Sequence, residues 1–160
     1  MDLFTLLLII FVFVLFFFLL IIQKELVFRA KKRKGSWIII PLATIFVLWG
    51  TFGQPATLDE SIRGILSGLI VLSFLLDGRG LTEERILVNP MDKRGIPFAE
   101  IDRIVLYQQE NIVKMNFFRR GMRGPLLKFS APIQEIVLFL SDHLKEGTPI
   151  DILIDHEEEK

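Results

Sequence analysis

A single apolar run at the start constrains this chain more than any other feature. From Leu3 to Ile22 it reads LFTLLLIIFVFVLFFFLLII, with Thr5 its one polar residue. As a helix, twenty residues at ~1.5 Å each cover ~30 Å, the thickness of a hydrocarbon core. A cleaved signal peptide needs a basic start, a shorter apolar core and a small-residue cleavage site. Here Asp2 precedes the run and Gln23, Lys24 and Glu25 follow it. The expectation is therefore an uncleaved anchor.

Two more stretches read as spans. The second, at about 37–53, begins WIIIPLATIFVLWGTF and carries Trp37 and Trp49, whose indoles favour the headgroup level. Pro41 falls in its second turn, and Ala43, Thr44 and Gly50 are small enough to permit close helix contact. The third, at about 58–76, is apolar from Ile65 to Leu76 and needs its start to reach span length. Thr57 and Glu60 fit a capping box there, with Asp59 and Glu60 spaced to meet Arg63 on one helix face. Arg63 would snorkel to the interface. A mean hydropathy of +0.48 and 51% hydrophobic residues in a chain of 160 agree with a membrane protein.

Charge sets sidedness. Residues 1–76 hold seven Lys/Arg against four acids, and six of those seven bases lie between 24 and 34. Lys and Arg in short loops mark the cytoplasmic side. The predicted topology has the N-terminus outside, the Lys31–Lys34 cluster inside, the 53–61 loop outside and everything after Asp77 inside. Residues 77–160 hold twelve Lys/Arg against fifteen acids, and the whole chain nets to 0. That is not a basic nucleic-acid-binding chain. There is no Cys, which excludes disulfides, thiolate metal sites and Cys nucleophiles.

Beyond Gly80 the pattern changes from runs to alternation. Short extended pieces are expected at 85–88 and 96–98. A hairpin is expected from 103–108 and 112–119, with Ile104 and Leu106 on one face and Val105 and Tyr107 on the other, and with Val113, Met115 and Phe117 opposite Lys114 and Asn116. A Gly-rich turn over 119–124 leads to a third strand, 125–130, with Leu127 and Phe129 inward. Ile133, Ile136, Val137, Leu140 and Leu144 stand at helical spacing between Pro132 and Gly147. The expected fold class is three transmembrane α-helices plus a small α+β cytoplasmic domain, an antiparallel meander with one C-terminal helix. Its parts are a transmembrane region over 1–79, a domain over 80–150 and an acidic mobile tail over 151–160.

The whole chain then resembles a known group. Its phrases GLTEERILVNP, GIPFAEIDRIVLY, NIVKMNFFR, LLKFS and IQEIVLFL, after three spans and a basic loop, are similar to the YobD-like family of bacterial membrane proteins, which has no assigned activity. The second half also looks like reduced bacterial PH-like modules, chiefly through IPFAEIDRI (Ile96–Ile104). The resemblance implies that fold and a bacterial plasma-membrane location. It carries over no functional residues.

Candidate sites are few. His143 reads as a surface residue and His156 as part of a weak acidic tail; neither predicts a metal site. No cofactor site and no nucleophile–base pair can be nominated, so a non-enzymatic protein is expected. Lys31, Lys32, Arg33 and Lys34, together with Arg119, Arg120 and Arg123, are candidate contacts for anionic lipid headgroups. The expected function is a binding or scaffold protein presenting its cytoplasmic domain. The alternative is an accessory subunit of a transporter or envelope enzyme, packing through Ala43, Gly50, Ser67 or Gly68. Expected partners are the bilayer and another membrane protein.

Overall fold

The computed structural model describes residues 1–32, 35–76, 78–89, 92 and 94–154. It divides into two compact units. One holds residues 1–24 and 32–77, the other residues 25–31 and 78–160.

The first unit is helical. Helix α1 spans Leu3–Glu25, α2 Ser36–Phe52 and α3 Leu58–Ser73, the last continued by a 3-10 turn over Phe74–Leu76. On α1 the buried positions Thr5, Val12 and Leu19 recur every seven residues, with Ile22 one turn further. They form one narrow seam, as a seven-residue spacing on a helix must. The remaining apolar surface is open: Phe13 is 74% exposed and Phe17 62%.

Here the expectation of three transmembrane helices is corrected. Among the described residues only α1 is long and apolar enough to cross a membrane. Helix α2 is apolar but has 17 residues, ~25 Å of rise against a ~30 Å core. Helix α3 has 16 residues and charged Asp59 and Glu60 in its first turn. Its α-helical hydrogen bonding gives way after Ser73, short of the expected 58–76.

The capping box on α3 is formed. Thr57 Oγ1 accepts from the Glu60 N–H at 3.3 Å, and Glu60 Oε2 accepts from the Thr57 N–H at 2.7 Å. Helices α2 and α3 pack through Gly64 and Gly68, a G-x-x-x-G pair that lets two helices approach. A Cβ at Gly64 would overlap Thr51, and one at Gly68 would stand 3.2 Å from Leu48 Cδ2. Helices α1 and α3 run parallel, because both pairs of like ends are tied. Arg63 Nε donates to Thr5 Oγ1 at 3.0 Å. At the other end Gln23 Nε2 donates to the Leu76 carbonyl at 3.1 Å.

The second unit contains two sheets and a helix. The smaller sheet has strands β1 (Phe28–Arg29), β2 (Gly80–Leu81), β3 (Arg85–Leu87) and β4 (Ile96–Pro97), antiparallel in that order. The larger has β5 (Arg103–Gln109), β6 (Ile112–Arg119), β7 (Met122–Arg123), β8 (Leu127–Phe129) and β9 (Ile150–Ile154). Its order is β7-β6-β5-β9, and β8 pairs with β6 beyond β7. Helix α4 is Ile133–His143.

Three expectations for this half are corrected. There are two sheets rather than one meander. The larger sheet is mixed, because β9 runs parallel to β5 with Val105 opposite Asp151. The helix is therefore not the last element, and residues 151–154 of the supposed tail are a paired strand; residues 155–160 lie outside the described residues. The larger sheet and α4 enclose the core. Ile104, Leu106, Val113, Met115, Phe117, Leu127, Phe129, Ile136 and Leu140 are all 3% exposed or less. At roughly 1.5–3 kcal/mol for each large apolar side chain buried, this core is what offsets the entropy of ordering so short a unit. Leu81 and Ile86 join it from the smaller sheet.

Candidate functional site

Cations gather on the outer face of the larger sheet. On β6 the inward residues Val113, Met115 and Phe117 alternate with Ile112, Lys114, Asn116 and Phe118, which therefore point outward. Strand β8 repeats this, with Lys128 exposed between buried Leu127 and Phe129. Register places Lys114 directly opposite Lys128. Like charges at such a pair repel. The Lys31 N–H donates to the Lys128 carbonyl, so the chain after β1 runs beside β8. Toward the other end of β6, Arg123 Nε and Nη2 donate to Asn116 Oδ1 at 3.1 and 2.9 Å. Lys31, Lys128, Lys114 and Arg123 thus follow one another along one side of the sheet.

The candidates named from sequence fall in different places. Lys31 belongs to the sheet unit and Lys32 to the helical one; Lys32 Nζ stands 6.0 Å from the Trp37 ring centroid. Arg33 and Lys34 lie outside the described residues. Arg119 is ion-paired with Glu100, which removes it from any uncompensated cluster. Arg120 is exposed at a turn with φ +51°, and the adjoining Gly121 N–H donates to Asp102 Oδ2 at 3.0 Å. Met122, opposite Arg119 in the register, is 71% exposed. Sequence reasoning missed Lys114 and Lys128 as site residues. Alternation placed Lys114 on a polar face, but only strand register brings the two lysines together.

A polar tie joins α1 to α3 at the other end of the helical unit. Asp2 Oδ1 accepts from the Thr5 hydroxyl at 2.6 Å and from its N–H at 2.9 Å. These two bonds, and Arg63 beside the other carboxylate oxygen, hold the Asp2 carboxyl down at about 2. The Arg63 guanidinium also lies 5.2 Å from the Phe4 ring centroid. Arg63 was expected to meet Asp59 and Glu60 on its own helix; the Thr57 bonds and then the Arg63 charge lower the Glu60 carboxyl, and Arg63 also reaches back to α1. Next to it, a cavity of about 380 Å³ opens between α2 and α3, lined by Thr51, Gln54, Glu60, Arg63 and Ser67 among others. Its charges are already engaged, Glu60 in the capping box and Arg63 with Asp2.

The aromatic residues of the sheet unit gather around α4. The Phe28 and Phe139 rings meet edge to face at 5.2 Å, and His143 stacks on Phe139 at 4.1 Å. His143 Nδ1 lies 2.7 Å from the Phe139 carbonyl, so that nitrogen carries the proton. Phe98 stands 6.2 Å from both rings. This cluster clamps the two-residue β1 onto α4. Of the small residues nominated for partner packing, Gly68 is consumed by Leu48 and Thr44 of α2, whereas nothing approaches a Cβ at Gly50 within 4 Å.

Comparison with family models, with curated proteins and with solved structures finds no match for this chain.

Proposed function

We propose that this chain is a membrane-anchored binding or scaffold protein that holds its sheet unit at the cytoplasmic surface of a bacterial plasma membrane. The observation that carries this reading is the pairing of β1 with β2. Residues 25–31 immediately follow the apolar helix α1, yet they belong to the same compact unit as residues 78–160. Whatever side of the membrane receives the end of α1 also receives the sheet unit. Six Lys/Arg between 24 and 34 favour the cytoplasmic side. A folded unit held at the surface, with its outer sheet face uncovered by its own helix, suits recognition rather than transport.

The test is photo-crosslinking in intact membranes from Lys128 and Leu138 on the sheet unit, and from Phe13 and Phe46 on the helices. A binding module gives discrete adducts from the sheet positions. Adducts confined to Phe13 and Phe46 would overturn it in favour of an accessory subunit.

A further inference from the structure

We infer that the outer face of the larger sheet is a docking surface for anionic phospholipid, built from Lys31, Lys128, Lys114, Arg123 and Arg120. This rests on the anchored reading and deepens it by naming the partner. Among the described residues, no carboxylate forms an ion pair with any of these five. Their partners are neutral: Gln109 Oε1 accepts from Lys114 Nζ at 2.6 Å, the Tyr107 ring lies 5.5 Å from that ammonium, and Asn116 holds Arg123. Neutral acceptors orient a cation without cancelling its charge. Elsewhere on the same unit arginines are neutralised, Arg103 by Asp151 and Arg119 by Glu100. The Lys114–Lys128 pair is therefore a cost that the fold keeps only on this strip, and an anionic surface relieves it.

Chain length selects lipid over an acidic protein as the occupant. Helix α1 ends at Glu25 and Lys31 follows within ~20 Å of fully extended chain. Membrane phosphates are thus within reach at a high effective concentration, which a diffusing partner lacks.

The chain contains no Cys, so Ile112→Cys places one label on the outer face of β6 and Asp142→Cys one on α4. The full-length labelled proteins are reconstituted into phosphatidylcholine vesicles, with or without equimolar phosphatidylglycerol. Flotation first reports anchoring; a chain that floats with neither lipid overturns the anchored reading and the docking together. With flotation intact, docking predicts that aqueous iodide quenches the label at 112 several-fold less in the anionic vesicles, with no change at 142. Lys114→Gln with Lys128→Gln lowers the docked-to-undocked ratio by about thirty-fold, from ~1 kcal/mol per base. Lys114→Arg with Lys128→Arg retains protection. Equal quenching at 112 in both vesicles, or protection by added polyglutamate but not by phosphatidylglycerol, overturns the lipid assignment and leaves the anchor standing.

Discussion

Phe28 stands opposite Leu81 in antiparallel register, 53 residues away along the chain and on the far side of two helices. That pair closes residues 30–79 into a loop whose two ends enter one sheet. Gln23 and Leu76, hydrogen-bonded at 3.1 Å, bring the same two chain segments together within the helical unit. The proposed sidedness of the sheet unit rests on this closure and on the bases that follow α1.

The closure can be broken at Gly80. Its φ is +151°, and a Cβ there would overlap the Phe28 carbonyl oxygen. Gly80→Ala is thus strained in backbone and blocked in space. Phe28→Ala is milder: the ring is half-buried against Phe139, and its loss is expected to cost roughly 2 kcal/mol. Thermal unfolding of the full chain in detergent, followed by near-ultraviolet circular dichroism, should place both variants below the parent, with Gly80→Ala lower. Unchanged midpoints would mean that β1 contributes nothing to the sheet.

Two glycines in the helical unit make opposite predictions. Gly64→Ala pushes a methyl group into Thr51 and should cost about 1–3 kcal/mol as α2 and α3 separate. Gly50→Ala meets no atom within 4 Å and should be neutral or stabilising by up to ~1 kcal/mol through helix propensity. Dodecyl sulfate titration of the detergent-solubilised chain measures both.

Legibility followed the range of the interaction. The alternation of Ile112–Arg119, the spacing of Ile133, Ile136 and Leu140, and the capping box at Thr57 and Glu60 are local patterns, and each element forms where they predict. The closing strand β1 is two residues inside a basic loop and carries no periodic signal. Strand β9 looked like the start of an acidic tail; Asp151 is there because it meets Arg103 on the outer face, while Ile150 packs on the core. The Arg63–Asp2 pair spans 61 positions, so helix-face spacing pointed to Glu60, on which the Arg63 charge acts, but not to Asp2. Apolar composition made α2 and α3 resemble spans, although α2 has 17 residues and the α-helical part of α3 stops at Ser73, both short of a hydrocarbon core. The Lys114–Lys128 pair depended on register, which is a property of two strands at once.

Removing residues 150–160 tests the reassignment of the tail. A solvated tail could be deleted freely. Because β9 pairs with β5 over Ile150–Ile154, the deletion should cost at least ~2 kcal/mol and expose amides of β5 to hydrogen exchange. Exchange at Leu106 and Gln108, whose amides share the β9-facing side of β5 with Ile104, identical to that of the full chain would contradict the pairing.

Asp2 makes the pH prediction. Thr5 hydroxyl and N–H bonds, with Arg63, lower its carboxyl from the ordinary 3.8 to about 2. A lowered carboxyl stabilises the folded form above its unfolded value and stops doing so as pH falls through the folded one. The tie between α1 and α3 should therefore be complete above about pH 4 and lost progressively toward pH 2. Carbon-13 titration of Asp2 in detergent checks this. In Thr5→Val, which keeps the N–H but lacks the hydroxyl, the midpoint should rise toward 3.8.

The shared sidedness of the α1 exit and the sheet unit is measured most directly with a membrane-impermeant maleimide on intact bacteria. Single cysteines at Val27, just beyond α1, and at Ser130, beside β8, report the two locations in this Cys-free chain. Both should resist labelling until the cells are lysed. Labelling of one without the other would separate residues that the β1–β2 pairing holds together, and labelling of both in intact cells would place the sheet unit outside.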